Sequence, residues 1–75
     1  MGKEQLLELV IKLKETRGQS LNLKGKNLTS LPPALFELTD LVTLDLSYNR
    51  LTKLPPEICQ LVNLKYLNLC DNQFL

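Results

Sequence analysis

The sequence predicts an α/β fold: a solenoid fragment of stacked coils, with a short parallel three-stranded sheet and an N-terminal helical cap. Two observations predict this fold. Leucines, prolines and an asparagine recur at a spacing of 23 residues through most of the chain. An amphipathic segment with helical spacing precedes them. Self-similarity at a constant period, kept without insertions, is typical of stacked repeats.

The middle of the chain shows what one coil contains. Leu44 and Leu46 alternate with polar residues, which predicts a short strand with its leucines turned to one side. Asn49 follows where the chain leaves the strand, and a buried carboxamide there can bond backbone groups that lack a ladder partner. Pro55-Pro56 then opens a short helical turn. One coil cannot bury its own leucines, so the next coil must stack on it.

The same positions recur one period earlier and one period later. We therefore divide the repeat region 18–75 into coils at 18–40 and 41–63 and a partial coil at 64–75. The first coil is atypical because Lys26 takes the asparagine position. Atypical terminal repeats are expected at the end of such an array, which supports a capping role for the N-terminal part.

Residues 1–17 are predicted to form the capping helix. Leu6, Val10 and Leu13 follow the i, i+4, i+7 pattern of an apolar helix face. Gly18 is the expected left-handed residue at the end of the helix, since glycine adopts this conformation without a steric penalty. The apolar face is expected to pack on the first coil at Leu21, Leu23 and Leu28.

Composition limits the possible functions. The chain has 75 residues and a net charge of +1, which indicates one small domain without a strong field toward nucleic acid or an acidic membrane. Aromatic residues are 5% of the chain, too few to stack along a bound nucleic acid strand. The sequence has no apolar run of about 18 residues, so no membrane span is expected. Two cysteines without a secretory signal predict a reducing, cytoplasmic location.

The residues that carry catalytic chemistry are largely missing. The chain has no histidine, so the common general base is absent, and it has no glycine-rich phosphate-binding motif. Cys59 and Cys70 have no further thiol or imidazole with which to hold zinc. We therefore expect no enzyme activity, no catalytic residues, no cofactor and no metal. Cys59 is expected to be part-buried, on the opposite side of the coil from Cys70, so no internal disulfide is expected.

The concave face of the sheet is the predicted protein-binding surface, because side chains between the strand leucines point out of the core. Tyr48 and Tyr66 are its strongest candidates, since tyrosine is enriched at interfaces. The alternative is that Tyr66 only shields the leucines beside it. The predicted face consists of Asn22, Lys24, Thr43, Asp45, Ser47, Tyr48, Tyr66, Asn68 and Asp71.

The third strand is predicted to have a neighbour on one side only, and proteins normally cover such an edge. We expect a homodimer through this edge, with a two-fold axis, antiparallel edge strands and Cys70 near the axis. The alternative is that the next coil of a longer protein covers the edge. The predicted self-association edge consists of Leu64, Leu67, Leu69, Cys70 and Phe74.

The octapeptides at 28–35 and 51–58 read Leu-Thr-Ser-Leu-Pro-Pro-Ala-Leu and Leu-Thr-Lys-Leu-Pro-Pro-Glu-Ile. They resemble the cytoplasmic leucine-rich-repeat proteins with a 23-residue period, found in bacteria and plants and in Roco-type proteins. The resemblance implies a curved solenoid used mainly for binding other proteins, and thus a non-enzymatic interaction module. Two alternatives stay open. The first alternative is that the chain is the recognition segment of a larger enzyme, such as a Roco-type GTPase or a repeat-bearing ubiquitin ligase. The second is that it is a self-assembling structural fragment.

Overall fold

The computed structural model describes residues 1–74 as one helix followed by three short strands that alternate with two 3₁₀ helices. The strands form one parallel sheet in the order β1-β2-β3. This agrees with the predicted helix and three-stranded parallel sheet. The elements are α1 Lys3–Thr16, β1 Ser20–Asn22, η1 Pro33–Glu37, β2 Thr43–Asp45, η2 Pro56–Gln60 and β3 Tyr66–Asn68.

The register of the sheet follows the repeat without slippage. Leu21 lies beside Leu44, and Leu44 lies beside Leu67, so residues 23 apart are direct neighbours. In β1 and β2 this central leucine is buried and its two neighbours are more exposed. The period-two alternation therefore gives the sheet an inner face, on the core, and an outward face.

The core lies between the inner face of the sheet, the 3₁₀ helices and α1. Proline begins each 3₁₀ helix, where its missing N–H leaves no hydrogen bond unmade. The strand and turn of the second coil are deeply buried, whereas its 3₁₀ helix has no buried residue. The largest fully buried apolar side chains are Val10, Leu23, Leu35, Leu41, Leu44, Leu46 and Leu51.

Asn49 is buried, as predicted, and bonds backbone groups of both its own coil and the first coil. Its Oδ1 accepts hydrogen bonds from the N–H groups of Lys26 and Leu28, each at 3.0 Å. Its Nδ2 donates to the carbonyls of Leu23 and Leu46, each at 2.9 Å. One side chain therefore joins two coils, between the backbone hydrogen bonds from Gly25 to Ser47 and from Arg50 to Leu28.

The helix α1 closes the first end of the core. Leu6 and Val10 are 4% and 1% exposed and belong to the same cluster as Leu21, Leu23 and Leu28, while Leu13 is half-buried. The apolar face of α1 and the leucines of the first coil thus belong to one cluster. The backbone of α1 lies nearest to η1 rather than to β1.

Two ion pairs join the C-terminal end of α1 to the end of η1 and the loop that follows it. Lys14 Nζ lies 2.8 Å from Glu37 Oε1, and Arg17 Nε lies 3.5 Å from Asp40 Oδ2. Both pairs are well exposed, so each contributes at most about 1 kcal/mol. They orient the cap, whereas the buried leucines and valine hold it.

The end of α1 differs from the prediction. The left-handed residue is Arg17, with φ 55°, and not Gly18. The Gly18 N–H donates to the Leu13 carbonyl at 2.9 Å, as in a Schellman motif whose left-handed residue is one position earlier. A Cβ at Gly18 would collide with the Cδ2 of Leu13. A side chain at position 18 would therefore require the end of the Leu13 side chain to shift.

Candidate functional site

The two tyrosines singled out by the sequence are both exposed: Tyr66 lies in β3, and Tyr48 lies in the turn that follows β2. Tyr48 is 56% and Tyr66 66% exposed. A shallow depression of about 470 Å³ lies across β2 and β3 and includes Asp45 and Tyr66 in its lining. Tyr66 thus lines this depression, whereas Tyr48 does not.

Tyr48 is held in a defined orientation by its backbone and by a cation. Its φ is 55°, and the equivalent positions one coil earlier and later, Gly25 and Asp71, have φ of 66° and 56°. Lys24 Nζ lies 5.1 Å from the centroid of the Tyr48 ring, a cation–π distance. The backbone conformation and the lysine together place the exposed ring beside the end of β1.

Ser47 does not belong to the predicted surface, because it is only 1% exposed. Its hydroxyl donates to Asp45 Oδ1 at 2.6 Å, and its backbone N–H donates to the same oxygen at 2.9 Å. The strand β2 ends at Asp45, so the alternation of inward and outward side chains no longer applies two residues later. The prediction for Ser47 was wrong for this reason.

The same side-chain-to-backbone hydrogen bond occurs at the end of each strand. Asn22 Oδ1 accepts from the Lys24 N–H at 2.9 Å, and Asn68 Oδ1 accepts from the Cys70 N–H at 3.1 Å. Asp45 occupies the equivalent position in β2. These three predicted binding residues therefore use an oxygen to fix the turn after the strand, a role that the 23-residue recurrence of Asn or Asp could have suggested.

The Asp45 carboxylate is stabilised in its charged form. The Ser47 hydroxyl, then the Ser47 backbone N–H and the charge of Lys24, hold the pKa of the Asp45 carboxyl below its ordinary value, and burial opposes this. A folded-state pKa below the unfolded-state value means that the unfolded chain binds the proton more tightly. This carboxylate therefore stabilises the fold above about pH 4, and the stabilisation is lost as the pH falls through the folded-state pKa.

We expect the Asp45→Asn variant to lose less stability than the parent chain between neutral pH and about pH 3. Asparagine can still accept the Ser47 N–H but does not titrate. Urea unfolding followed by circular dichroism at a series of pH values measures this, with Glu57→Gln as a control that removes an exposed carboxylate. Parallel pH profiles for the parent chain and Asp45→Asn would contradict the role of this carboxylate.

The outer side of β3 is the second candidate surface, and we call it the open edge. Leu67 and Phe74 are each 38% exposed, whereas their equivalents Leu44 and Leu51 are each 1% exposed. The other predicted members follow the same trend: Leu64 and Leu69 are half-buried and Cys70 is exposed. The side chains of the second coil are covered by the third strand and its turn, whereas no described coil covers those of the third.

The open edge also has backbone groups without partners among residues 1–74. Leu46 N–H donates to the Asn68 carbonyl at 2.8 Å, and Tyr48 N–H donates to the Cys70 carbonyl at 3.0 Å. One coil later, the N–H groups of Leu69 and Asp71 occupy the same positions and have no such acceptor within the described residues. The edge therefore offers both apolar side chains and backbone donors.

The two thiols are free, and both are exposed. The expected partial burial of Cys59 was wrong. Its equivalent, Phe36, is 3% exposed because the second coil covers it, whereas Cys59 has no described coil beyond it. Cys59 in η2 therefore lies on the same uncovered side of the molecule as the open edge.

A larger cleft of about 680 Å³ lies between the start of α1 and the segment 27–34. Met1 and Leu7, which are 44% and 42% exposed, contribute to its lining together with Leu6. None of the residues predicted to bind protein lines it. It is thus a surface separate from both the outward face and the open edge.

Comparison with known protein families gave a match over the region that contains both candidate surfaces. The family model described as leucine rich repeat matches residues 19–74, which is most of the chain and includes all three strands. The comparison with curated proteins gave no match. No helix among residues 1–74 is long and apolar enough to cross a membrane.

Proposed function

The chain belongs to the leucine-rich-repeat family, whose domains generally mediate protein–protein interactions, and from this premise we propose that it is a non-enzymatic protein-interaction module. Members of the family are typically interaction modules rather than enzymes. The observation that carries the proposal is the pair of exposed tyrosines, Tyr66 in β3 and Tyr48 in the turn after β2.

The proposed binding surface is the outward, concave face. Lys24, Thr43, Tyr48, Tyr66 and Asp71 supply its direct contacts. Asn22, Asp45 and Asn68 shape the strand ends through their hydrogen bonds. A protein segment lying across the strands would meet aromatic rings at the centre and polar groups around them, which is the usual composition of an interface.

We further propose that the repeats are of the 23-residue type found in bacterial and plant proteins and in Roco-type proteins, and that the chain works in the cytoplasm. The octapeptides at 28–35 and 51–58 support the repeat type. Two exposed free thiols support a reducing compartment, because such thiols oxidise readily elsewhere.

Replacing Tyr48 and Tyr66 with alanine is expected to abolish capture of the partner protein. Anchoring tyrosines at an interface each contribute about 2 kcal/mol or more, so the double variant should bind at least about a thousandfold more weakly. A partner enriched from extract on the immobilised chain is identified by mass spectrometry, purified and titrated by calorimetry.

The matched control for the tyrosine experiment is Val62→Ala. Val62 is 77% exposed and lies in the return to β3, away from the outward face. This variant should bind as the parent chain does, and circular dichroism should be unchanged for all variants. A purified partner that binds the double tyrosine variant with unaltered affinity would remove the outward face from the proposal.

A second copy of the chain is a further proposed partner, through the open edge. The observation that favours it is the combination of half-exposed leucines and unpartnered backbone donors along β3. Proteins normally cover such an edge.

A further inference from the structure

We propose that the depression across β2 and β3 binds an arginine side chain of the partner protein, with the guanidinium group between the Asp45 carboxylate and the Tyr66 ring. The inference rests on the function proposed for the outward face, and it names the chemical group that this face recognises. The site consists of Thr43 and Asp45 from β2 and of Tyr66 and Asn68 from β3, which all line the depression.

The register of the sheet brings these side chains together on one face. Thr43 lies beside Tyr66, and Asp45 lies beside Asn68. Alternate residues of a strand point to the same side, so they point away from the core in which Leu44 is buried. Strands lie about 4.8 Å apart and rise about 3.3 Å per residue, so Asp45 and Tyr66 are about 8 Å apart along the diagonal. A flat group therefore fits between the carboxylate and the ring.

The Asp45 carboxylate uses one oxygen for the fold and has the other available for a partner. Its Oδ1 accepts hydrogen bonds from both the hydroxyl and the N–H of Ser47. Its Oδ2 accepts no hydrogen bond from any of residues 1–74. The Ser47 hydroxyl, followed by the Ser47 N–H, holds the pKa of Asp45 below its ordinary value, so the group is charged at neutral pH. The site thus offers an oriented anion with a free acceptor.

Neither lysine near the depression forms an ion pair with this carboxylate in the described part of the chain. Lys24 Nζ lies 5.1 Å from the centroid of the Tyr48 ring. Lys65 lines the depression but precedes β3, three residues before the level of Asp45, which is about 10 Å along the strand. The Asp45 end of the depression therefore has a negative charge that a partner's cation can neutralise.

The groups around this carboxylate favour a guanidinium over an ammonium group. Tyr66 is exposed, so the face of its ring can meet a cation. A guanidinium is planar, so it can stack on the ring while its edge donates hydrogen bonds to a carboxylate. Asn68 Oδ1 accepts from the Cys70 N–H at 3.1 Å and has a second lone pair for a further donor. Arginine is therefore preferred to lysine.

The turn after β2 does not itself require a charge at position 45. Asn22 and Asn68, at the equivalent positions in β1 and β3, make the same hydrogen bond to the following turn with a neutral carboxamide. Between β1 and β2, moreover, Thr43 takes the place that Tyr66 has between β2 and β3. The combination of a carboxylate and an aromatic ring is therefore specific to one pair of strands, as expected of a recognition site.

The site does not depend on how the chain continues after the described residues. In a stacked array, a further coil would lie beside β3 and would leave the outward face of the existing strands uncovered. The walls of the depression come from β2 and β3, which are adjacent in the described sheet. The guanidinium site would therefore remain accessible in a longer array.

Nα-acetyl-arginine amide is the probe that tests the site. We expect saturable shifts of the Asp45, Tyr66 and Asn68 amide signals in the nitrogen-15-labelled chain, with a dissociation constant of about 1–10 mM. Nα-acetyl-citrulline amide is planar but uncharged and should bind at least about tenfold more weakly. Nα-acetyl-lysine amide should bind about threefold more weakly, because it cannot stack and bond at once. Equal binding of arginine and citrulline, or shifts elsewhere alone, overturns the site.

Two variants should weaken binding of the arginine probe by different amounts. Asp45→Asn should weaken it about tenfold, since asparagine keeps the turn, as at Asn22, but removes the charge. Tyr66→Leu should weaken it about threefold, because an apolar side chain remains but the ring is lost. Glu57→Gln, which removes an exposed carboxylate in η2, should bind the probe as the parent chain does. Unchanged binding by Asp45→Asn overturns the role of the carboxylate.

The purified partner separates this inference from the function on which it rests. Asp45→Asn should weaken partner binding about tenfold, as it weakens probe binding. If the double alanine variant of Tyr48 and Tyr66 loses the partner but Asp45→Asn binds it with unaltered affinity, the arginine site is wrong and the outward face stands. If the probe binds at Asp45 but the double tyrosine variant keeps the partner, the proposed function of the face fails, and with it the partner as the source of the arginine.

Discussion

Replacing Asn49 with leucine is expected to lower the free energy of unfolding by about 3–5 kcal/mol, a large part of the stability of a small domain. The side chain is 5% exposed, so water cannot replace it. Leucine has a similar size but would leave the N–H groups of Lys26 and Leu28 without an acceptor. The carbonyl of Leu23 would also lose its donor.

Asn72 is the matched control for Asn49, because it occupies the same position one coil later. Its Oδ1 accepts from the Leu51 N–H at 3.0 Å and its Nδ2 donates to the Leu46 carbonyl at 2.9 Å. It is half-buried, so water can replace part of its bonding, and Asn72→Leu should cost only about 1 kcal/mol. Urea unfolding by circular dichroism compares them, and equal costs would argue against the inter-coil role of Asn49.

Val10→Asp is expected to destabilise the chain by about 3 kcal/mol or more, and to leave it partly unfolded at room temperature. Val10 is 1% exposed between α1 and the first coil, and the carboxylate would have no cation beside it. The cap would have to detach to hydrate the charge, which would expose the first coil's leucines to water.

The neighbouring residue provides the control for Val10. Ile11 is 49% exposed on the same helix, so Ile11→Asp should change the free energy of unfolding by no more than about 0.5 kcal/mol. Amide proton spectra should stay dispersed for Ile11→Asp and collapse toward random-coil shifts for Val10→Asp. If both variants unfold at the same urea concentration, the cap is not held by its buried face.

The repeat pattern predicted the sheet well because its information is local and redundant. The spacing that places Leu21, Leu44 and Leu67 side by side is repeated by the prolines at the 3₁₀ helices. A slip by one residue would turn every strand leucine outward, so the pattern admits one register. Asn49 was predictable for the same reason, since a carboxamide at the end of a strand has few other roles.

The predictions for Ser47 and Gly18 failed because each applied a rule of regular secondary structure beyond the end of the strand or helix. The strands are three residues long, and the burial of Ser47 depends on a hydrogen bond to Asp45 rather than on alternation. Gly18 was assigned a role in helix ending that Arg17 performs. The space available for a side chain at position 18 depends on the rotamer of Leu13, which the sequence does not give.

The position of α1 shows a third limit. Its apolar stripe specified that Leu6 and Val10 would be buried, but a stripe defines a face and not the element it meets. That the helix backbone lies beside η1 rather than β1 depends on the shape of the first coil.

The left-handed position shared by Gly25, Tyr48 and Asp71 has a consequence for how the protein diversifies. One backbone conformation there accommodates a hydrogen, a phenol and a carboxylate in successive coils. Side chains at this position can therefore change by mutation while the coil keeps its path. The column of left-handed residues thus varies in side chain from coil to coil, within the set of residues that a left-handed backbone accepts.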